Sequence, residues 1–465
     1  MPFQCAIYEK NPLECHGTFS FFALAYSPFR VYFLLCNDIF FRGQRKGQPH
    51  IAGADRVKNM IEIRNYNVKG DGVTDDTAAV QAALDTGEAV HFTAGTYLCG
   101  SLYLRSNGGI HLDEGATLLA IPGKEHYNAA DFSPRNRVFL REHTYGQHFI
   151  IAEDCENISI TGKGTISGNF QAVFDTSRTV DKWRRIYDYP EWRMSQMIFL
   201  AGCKNVVIRD VLLRDSQYWN CFLLDCDDVL ISRVKIRADR LVDNADGLDI
   251  DCCRNVKIEE CDIDTGDDCI ALRANEAHAL RVAPCDTIVV ENCLLRSPTC
   301  AVRFGVGNGT LRNCTLKNLK MYECSVGIGL CPSYTPGKCV NIENILVEDV
   351  TFEGKRAFQM LAYWGGVTMP DDPAIKPVKN ITVRNFTGIC SGESIIAAPE
   401  KQGVFRDFHF ENVTLTMCAD PNRISQNRWP YEECGVLNVY RMPELDVSNM
   451  RLIPQGDNPE VLFRP

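Results

Sequence analysis

Three short stretches of the sequence repeat one pattern and decide the fold. Residues 204–213 read KNVVIRDVLL, residues 227–236 read DDVLISRVKI, and residues 254–263 read RNVKIEECDI. In each stretch a polar pair is followed by two apolar residues at alternate positions. After a gap of two residues, a second pair of apolar residues follows, again at alternate positions. Alternation with a period of two is typical of short strands with one buried face. Its recurrence every few tens of residues, with little helical pattern between the copies, predicts a solenoid of stacked coils.

The same pattern continues towards the C-terminus. One coil cannot bury its apolar face alone, so stacked coils share a continuous core. We therefore predict an all-β fold, a single-stranded right-handed parallel β-helix. A β-propeller is the alternative, but its blades would be more evenly spaced. Further copies start at Ile288, Ile345, Ile381 and Phe408, and a weaker copy starts at Leu311.

A short N-terminal helix is expected to cover the open end of the first coil. Asp75 or Asp76 can cap this helix, and its apolar positions are Val80, Ala83 and Leu84. An uncovered coil would expose apolar edges, so we expect a capping helix there.

Residues 60–465 are expected to form a single catalytic domain, because strand-like text begins at Met60. Residues 1–59 are expected to be an appendage that is not part of the functional chain. Pro28 and Arg30 interrupt its apolar run, which is too short for a membrane span, and it lacks the pattern of a signal peptide. We therefore expect a cytoplasmic protein, with an extracellular or periplasmic location as the alternative.

Composition and charge exclude several classes of protein. The chain is 45% hydrophobic and 23% charged, which is typical of globular proteins. Its net charge of −10 argues against a protein that reads nucleic-acid phosphates. Its 22 cysteines are scattered without metal-site spacing, so we expect reduced thiols that act as small apolar fillers. We expect neither a nucleic-acid nor a membrane partner, and the oligomeric state is left open.

Two neighbouring copies carry clustered carboxylates. Residues 243–251 read DNADGLDID, and residues 264–272 read DTGDDCIAL. When their apolar positions are aligned, Asp246 stacks on Asp268, about 4.8 Å away in the neighbouring coil, and Asp267 adjoins both. Like charges this close raise the pKa of at least one carboxyl, which gives a proton donor beside an acceptor. Glycoside hydrolysis requires such a pair.

Other interpretations of these acids remain open. Three carboxylates also suit a calcium ion, although we expect no metal and no cofactor. Single aspartates are common in the turns between coils, and we expect Asp249, Asp251 and Asp264 to be turn or surface residues.

The motifs NADG (residues 244–247) and GDDCIA (residues 266–271) resemble those of glycoside hydrolase family 28, the polygalacturonase group. The resemblance implies a pectin-lyase-like β-helix and inversion at the anomeric carbon. It also implies that Asp267 is the general acid and that Asp246 and Asp268 activate the water. Asn244 is expected to contact the substrate. Similar text occurs at 70–77 (GDGVTDDT) and 158–166 (ISITGKGTI).

The chain departs from that family where the substrate carboxylate is usually held. Cys300 stands at the place of a family histidine, and Gly329 and Cys331 fall within the segment that replaces the family's Arg-Ile-Lys. None of these three residues offers a positive charge. Arg273 and Arg303 are expected to supply a different grip on an anion, since arginine can bind a carboxylate through two hydrogen bonds. Solvated charges on the coil exterior are the alternative.

Aromatic residues suggest where a sugar could stack. The insertion at 181–195 is expected to form a cleft wall, because loops on a rigid scaffold often carry binding. Tyr363 and Trp364 form a second candidate surface. The insertion's aromatic residues are Trp183, Tyr187, Tyr189 and Trp192.

Four histidines lie in the early coils, away from the acids, and are expected to be structural. They are His91, His111, His143 and His148.

We therefore predict a glycosidase that cleaves a pectin-like oligosaccharide or polysaccharide by an inverting acid/base mechanism. A polysaccharide lyase on the same scaffold is the first alternative, and it would need a cation and a basic residue. A non-catalytic carbohydrate-binding β-helix is the second.

Overall fold

The chain from residue 60 onward winds into stacked coils of parallel strands. The computed structural model describes residues 60–129, 133, 136, 144, 146–181, 184–276, 283–334, 337–363, 375–399, 403–418, 436–442, 445–454 and 461–464. Within them, 32 strands belong to one parallel sheet and two form a separate antiparallel ribbon. The prediction for residues 1–59 lies outside the described residues.

The strands have the following bounds. The first part of the chain contains β1 (Met60–Glu62), β2 (Asp71–Asp75), β3 (Ala89–Phe92), β4 (Gly95–Cys99), β5 (Leu102–Tyr103), β6 (Gly109–Leu112), β7 (Ala116–Ala120), β8 (Ile150–Glu153), β9 (Glu156–Gly162), β10 (Thr165–Ser167), β11 (Thr179–Asp181) and β12 (Arg185–Tyr187). The middle contains β13 (Ile198–Ala201), β14 (Lys204–Arg209), β15 (Leu212–Arg214), β16 (Cys221–Leu224), β17 (Asp227–Ser232), β18 (Lys235–Arg237), β19 (Leu248–Asp251), β20 (Arg254–Glu259), β21 (Asp262–Asp264), β22 (Ile270–Ala274), β23 (Cys285–Glu291) and β24 (Leu294–Arg296). The last part contains β25 (Cys300–Gly307), β26 (Thr310–Cys331), β27 (Asn341–Leu361), β28 (Val378–Cys390), β29 (Ser394–Ala397), β30 (Phe405–Met417), β31 (Leu437–Tyr440), β32 (Asp446–Ser448), β33 (Arg451–Ile453) and β34 (Val461–Arg464).

The repeat copies stack in the register that their pattern predicts. Val206 lies beside Val229, which lies beside Val256, and that residue lies beside Ile288. All four side chains are buried in the core, and the prediction of a right-handed parallel β-helix is confirmed. The weak copy joins this column at Cys314, three residues after its expected start. The column continues through Cys314, Ile345, Ile381 and Phe408.

The polar pair before each copy is explained by a left-handed backbone turn. Asn205, Asp228 and Asn255 have φ values of 55°, 57° and 53°. Short polar side chains tolerate this conformation better than other residues with a Cβ. The amide of Asn205 donates to Asn157 at 2.6 Å, and that of Asn255 donates to Asp228 at 3.1 Å. These polar residues therefore set the turn and bond one coil to the next.

The capping helix is confirmed as α1 (Thr77–Leu84), which buries Val80, Ala83 and Leu84. Asp75 accepts the backbone N–H of Thr77 at 2.9 Å and so satisfies one donor at the start of the helix, whereas the N-cap residue is Asp76. Asp76 instead accepts the backbone N–H groups of residues 69 and 70. In the part of the chain that the structure describes, three short 3₁₀ helices cover Ile63–Tyr66, Lys124–His126 and Phe170–Ala172. Among the described residues no helix is long and apolar enough to cross a membrane.

Many cysteines line the coil interior as free thiols. Cys203, Cys226, Cys253 and Cys285 are buried, and each thiol donates to a backbone carbonyl one coil earlier, at 3.4 to 3.8 Å. They therefore fill the core and satisfy their own weak donors, which is the structural role expected of them.

Candidate active site

Adjacent coils bring Asp246 and Asp268 together just before strands β19 and β22. Leu248 lies beside Ile270, and the backbone N–H of Gly247 donates to the carbonyl of Asp268 at 2.8 Å. One carboxylate oxygen from each of the three expected catalytic residues lies within 4.8 Å of the other two. The cluster that the alignment predicts is therefore present.

The three carboxyl groups lie closer together than an inverting mechanism generally requires. The inversion that the family resemblance implies leads us to expect a separation of roughly 6.5–9.5 Å between acid and base, the range usual for inverting enzymes. The observed oxygens lie within 4.8 Å of one another, so that expected separation is wrong. The cause is that Asp267 and Asp268 are consecutive and Asp246 stands one coil spacing away.

Burial and mutual repulsion raise the pKa values of two of these carboxyls. Asp246 is 3% exposed and Asp267 is 8% exposed. Burial is the main cause in both cases. The pKa of Asp246 lies well above its usual range, raised further by Asp249, Asp267 and Asp268. The pKa of Asp267 is raised to about 7, with Asp268 as the next cause, while nearby arginines oppose the rise.

Asp268 is held in an ion pair with Arg303. Arg303 donates from Nε to one oxygen and from Nη2 to the other, at 3.1 Å for the second bond. The hydroxyl of Thr299 lies 3.3 Å from Asp268 Oδ1 and 2.9 Å from Asp267 Oδ1, so it can donate to either carboxyl. The expected role of Arg303 in gripping a substrate anion needs correction, because its guanidinium is engaged by a site carboxylate.

Arg273 is paired with the same group of acids. Its Nε donates to Asp249 at 2.8 Å, its Nη2 lies 3.8 Å from Asp246, and its guanidinium lies 4.1 Å from the ring centre of Trp219. At 7% exposure it is neither a solvated surface charge nor an open anion site, so this prediction is also corrected.

Asp249 and Asp251 are wrongly predicted as turn or surface residues. Both are fully buried on β19. Arg273 compensates Asp249, and the backbone N–H of Asn275 donates to Asp251 at 2.7 Å. Such partners reduce the free-energy cost of burying a carboxylate.

The antiparallel ribbon β11–β12 brings a third arginine to the site. Arg184 lies 3.3 Å from Asp243 and 3.8 Å from Asp267, and it donates to the backbone carbonyl of Arg240 at 2.6 Å. The hydroxyl of Tyr189 also donates to Asp243. Among the described residues of the insertion, it is therefore a cation, Arg184, that borders the acid cluster.

One oxygen of Asp246 marks a place for a small polar molecule. Asp246 Oδ1 is buried and has no hydrogen-bond partner among the residues that the structure describes. A buried polar atom of this kind normally has a protein or water partner. A water there would lie beside the other two carboxyls of the cluster.

The remaining predicted contacts fall in different places. Asn244 accepts a hydrogen bond from Arg193 at 3.2 Å and has a positive φ of 59°, so it shapes the turn before Asp246. Tyr363 is 1% exposed and packs in the core, which corrects its expected role in stacking on a sugar. Trp364, Trp183 and His143 lie outside the described residues.

The surrounding charge argues against a cation in the carboxylate cluster. Asp246, Asp267 and Asp268 have the spacing of a possible metal site, but Arg273, Arg184 and Arg303 each face one of them. Three guanidiniums within about 4 Å of the acids would repel a divalent ion.

Sequence reasoning missed Arg184, Asp243 and Thr299. Arg184 is visible in the insertion beside its aromatic residues, but its sequence position does not indicate what it contacts. Thr299 directly precedes Cys300, and no motif distinguishes it. Only the three-dimensional structure reveals that these residues converge on Asp267.

Two family models match this chain. Residues 125–287 match glycosyl hydrolases family 28, and residues 60–116 match rhamnogalacturonase A/epimerase, pectate lyase-like. The first match contains all three clustered aspartates, whereas Arg303 and Gly329 lie beyond its end. The carboxylate cluster is therefore inside the part that matches the family model.

Known proteins resemble the chain over most of its length. The exo-poly-alpha-D-galacturonosidase of Dickeya chrysanthemi is 25% identical over 416 residues, which are 77% of this chain and 68% of the relative. The family 28 exopolygalacturonase of Yersinia enterocolitica superposes with a TM-score of 0.62 at 19% identity, over 87% of this chain and 78% of that one. The Streptococcus pneumoniae surface protein and adhesin PfbA superposes with a TM-score of 0.57 at 14% identity, over 88% of this chain and 100% of that one. The two superposed structures, at 19% and 14% identity, establish the fold alone.

Fold, site and family match together define a β-helical glycosidase with a cluster of three aspartates. Over residues 125–287 the chain resembles glycosyl hydrolases family 28, and it is polygalacturonase-like.

Proposed function

We propose that this chain hydrolyses glycosidic bonds of a pectin-like polysaccharide or oligosaccharide by single displacement with inversion. The observation that carries the proposal is the buried cluster of Asp246, Asp267 and Asp268. In this cluster the pKa of Asp267 is about 7, while Asp268 is ion-paired with Arg303. Such a cluster holds a proton donor beside a proton acceptor at one pH, as glycoside hydrolysis requires.

Asp267 is the general acid in this proposal. Its protonated carboxyl donates to the glycosidic oxygen as the bond from that oxygen to the anomeric carbon breaks, and the bonding pair stays on the departing oxygen. Thr299 lies 2.9 Å from one Asp267 oxygen and orients the group. Assistance of this kind is worth roughly 10²–10⁴ in rate.

Asp246 and Asp268 hold and activate the water. Asp268 has both oxygens engaged by Arg303, so it orients the water without readily taking its proton. In the reactive state the proton shared by the interacting carboxyls is on Asp267, so Asp246 is ionised. Asp246 Oδ1 has no partner among the described residues and accepts the water's proton as the water oxygen bonds to the anomeric carbon.

Inversion is proposed although the carboxyls are close together. Groups about 5–5.5 Å apart are typical of retaining enzymes, in which one carboxylate attacks the sugar. Asp268 is poorly suited to attack because its oxygens are occupied, and Asp246 is more deeply buried than Asp267. A small water reaches Asp246 more easily than a sugar ring does.

The unit bound beside Asp267 is proposed to be uncharged. Gly329 and Cys331 offer no cation, and the three arginines nearest the cluster already face carboxylates. Burying a substrate carboxylate without a cation costs several kcal/mol. A neutral sugar within a pectin-like chain, such as rhamnose, satisfies both constraints.

A screen of acidic, neutral and rhamnose-containing oligosaccharides tests the proposal by release of new reducing ends. The purified chain should release them, and Asp267→Asn should lose roughly 10²–10⁴ of the rate. Asp264→Asn is the matched control, because Asp264 lies three residues away and pairs with Arg296 on the coil exterior. Equal turnover by the Asp267→Asn variant would overturn the assignment of the acid.

A further inference from the structure

The two consecutive carboxyls of the site are held unequally. Asp268 receives two N–H groups from Arg303, one on each oxygen. The cation that faces Asp267, Arg184, lies 3.8 Å away, which is beyond hydrogen-bond distance. A bidentate pair with arginine stabilises the ionised form of a carboxyl far more than a looser contact does.

Small neighbours allow Arg303 to reach across to Asp268. Arg303 lies beside Ala271 of the preceding coil and beside Gly329 of the following coil. A methyl group and a hydrogen atom therefore flank it on either side, and its side chain is only 13% exposed. Gly329 therefore leaves the guanidinium of Arg303 directed at a catalytic carboxyl, Asp268.

We propose that Arg303 is a positioning residue that decides which of the two consecutive aspartates carries the proton. It holds Asp268 as the carboxylate and so leaves the proton on Asp267, where it faces the glycosidic oxygen. The inference rests on the proposed function, in which Asp267 is the acid.

The proton of the pair is shared among several interacting groups. Consecutive carboxyls titrate in steps that belong to the pair rather than to one residue, and burial, Asp268 and Asp243 all raise the pKa of Asp267 while Arg184 and Arg303 lower it. Without Arg303 the two carboxyls become more nearly equivalent, and the proton spends part of its time on Asp268. The groups that face the pair or Arg303 are Asp246, Asp243, Arg184, Thr299, Cys300 and Tyr334.

The kinetic test compares Arg303→Gln and Arg303→Lys with the unaltered chain, on one neutral and one acidic oligosaccharide. For Arg303→Gln we expect kcat to fall about 10–100-fold on both substrates, a part of the roughly 10²–10⁴ that acid catalysis supplies. The alkaline limb of the pH profile, where activity falls as the pH rises, should move to higher pH. The reason is that removing a cation raises the pKa of the carboxyl pair. Arg303→Lys should keep that limb close to its original pH and recover only part of kcat, since lysine offers a charge without the fork.

The matched control is Arg254→Gln. Arg254 is 17% exposed and pairs with Asp225 at 3.2 Å and Asp227 at 2.5 Å, and neither of these acids belongs to the cluster. The Arg254→Gln variant shows how the loss of a comparable ion pair affects the fold. Its kcat and the alkaline limb of its pH profile should not change. A rise in KM that is confined to the acidic oligosaccharide, with an unmoved limb, would mean that Arg303 binds substrate and would overturn the positioning role. Unchanged kcat in Arg303→Gln, or full kcat in Arg303→Lys, would overturn it too.

A measurement without turnover separates this inference from the proposed function. In protein with ¹³C-labelled aspartate carboxyls, the titration of Asp267 is followed by NMR and assigned with Asp267→Asn. We expect the pKa of Asp267, about 7 in the unaltered chain, to change in Arg303→Gln and to stay constant in Arg254→Gln. An unchanged titration in Arg303→Gln would overturn the inference whether or not a substrate has been found. A chain that turns over no oligosaccharide but shows the expected titration would contradict the proposed function alone.

Discussion

The guanidinium of Arg184 lies 3.8 Å from the carboxylate of Asp267, although the two residues belong to different parts of the fold. Arg184 directly precedes β12 of the antiparallel ribbon, and Asp267 precedes β22 of the coil. The insertion therefore contributes a charge to the acid of the site.

Arg184→Gln is expected to move the pH profile of hydrolysis upward. The positive charge of Arg184 lowers the pKa of Asp267, which burial and Asp268 raise to about 7. Its removal raises that pKa further, so the acid stays protonated to higher pH, and activity is lost at a higher pH as the solution becomes more alkaline. We expect a shift on the order of half a pH unit, because Arg184 lies closer to Asp243 than to Asp267 and its charge is partly offset there. The measurement is kcat/KM from pH 4 to 9.

Arg185→Gln is the control for Arg184, because Arg185 is an exposed neighbour that donates to Thr179 on the same ribbon. Its profile should match that of the unaltered chain. A downward shift in Arg184→Gln, or equal shifts in the two variants, would contradict the assigned contact.

Asp267→Asn is expected to gain stability relative to the unaltered chain as the pH rises. The pKa of this carboxyl is about 7 in the folded chain against 3.8 ordinarily, so the folded state binds the proton more tightly than the unfolded state. In the unaltered chain, the destabilisation that the ionised Asp267 carboxylate causes is absent below about pH 4, grows between about pH 4 and 7, and persists above pH 7. The difference in Tm between variant and unaltered chain should therefore rise by on the order of 1–3 °C between pH 4.5 and pH 8. A Tm difference that does not depend on pH would contradict a raised pKa for this carboxyl.

Gly329→Ala is expected to destabilise the chain through Cys300. A Cβ at position 329 would lie 2.8 Å from the Sγ of Cys300, and overpacking of this kind costs about 1–3 kcal/mol. Cys300→Ala in the same chain should recover most of that loss. Chemical denaturation of the two single variants and the double variant measures the coupling. Additive effects would mean that the two residues do not compete for this space.

Polygalacturonate is expected to be a poor substrate. The nearby cations face site carboxylates, so a galacturonate carboxylate beside Asp267 would lack a partner. A cost of several kcal/mol corresponds to at least about 100-fold in kcat/KM relative to a matched rhamnose-containing oligosaccharide. Rapid release of galacturonate from the unbranched polymer would contradict this expectation.

Much of the fold follows from the sequence because the coil repeats a local pattern. Period-two alternation selects the buried positions, and each copy meets its neighbours in the same register, as Val206, Val229 and Val256 do. The polar pairs were also visible, but their role in a left-handed turn emerges only from the backbone. The start of the weak copy was misplaced because a short thiol, Cys314, occupies its first core position.

The site was predictable only in part. The stacking of coils predicts from the sequence that Asp246 lies against Asp268, because the register of the repeat alone fixes that pair. The partners of the arginines were not predictable, because a long side chain can reach several coils or loops. Arg303 and Arg273 therefore seemed available to a substrate, whereas Asp268 and Asp249 already engage them. Tyr363 was mistaken for a surface residue because a run of aromatic and glycine text does not reveal which face is buried.

The most direct test of the account is the product formed in the first seconds of turnover, observed by ¹H NMR with an α-linked oligosaccharide that the chain cleaves. Hydrolysis by single displacement predicts that the new reducing end appears first as the β-anomer and then equilibrates. First appearance as the α-anomer would contradict the single displacement, and an unsaturated sugar at the new non-reducing end would contradict hydrolysis itself.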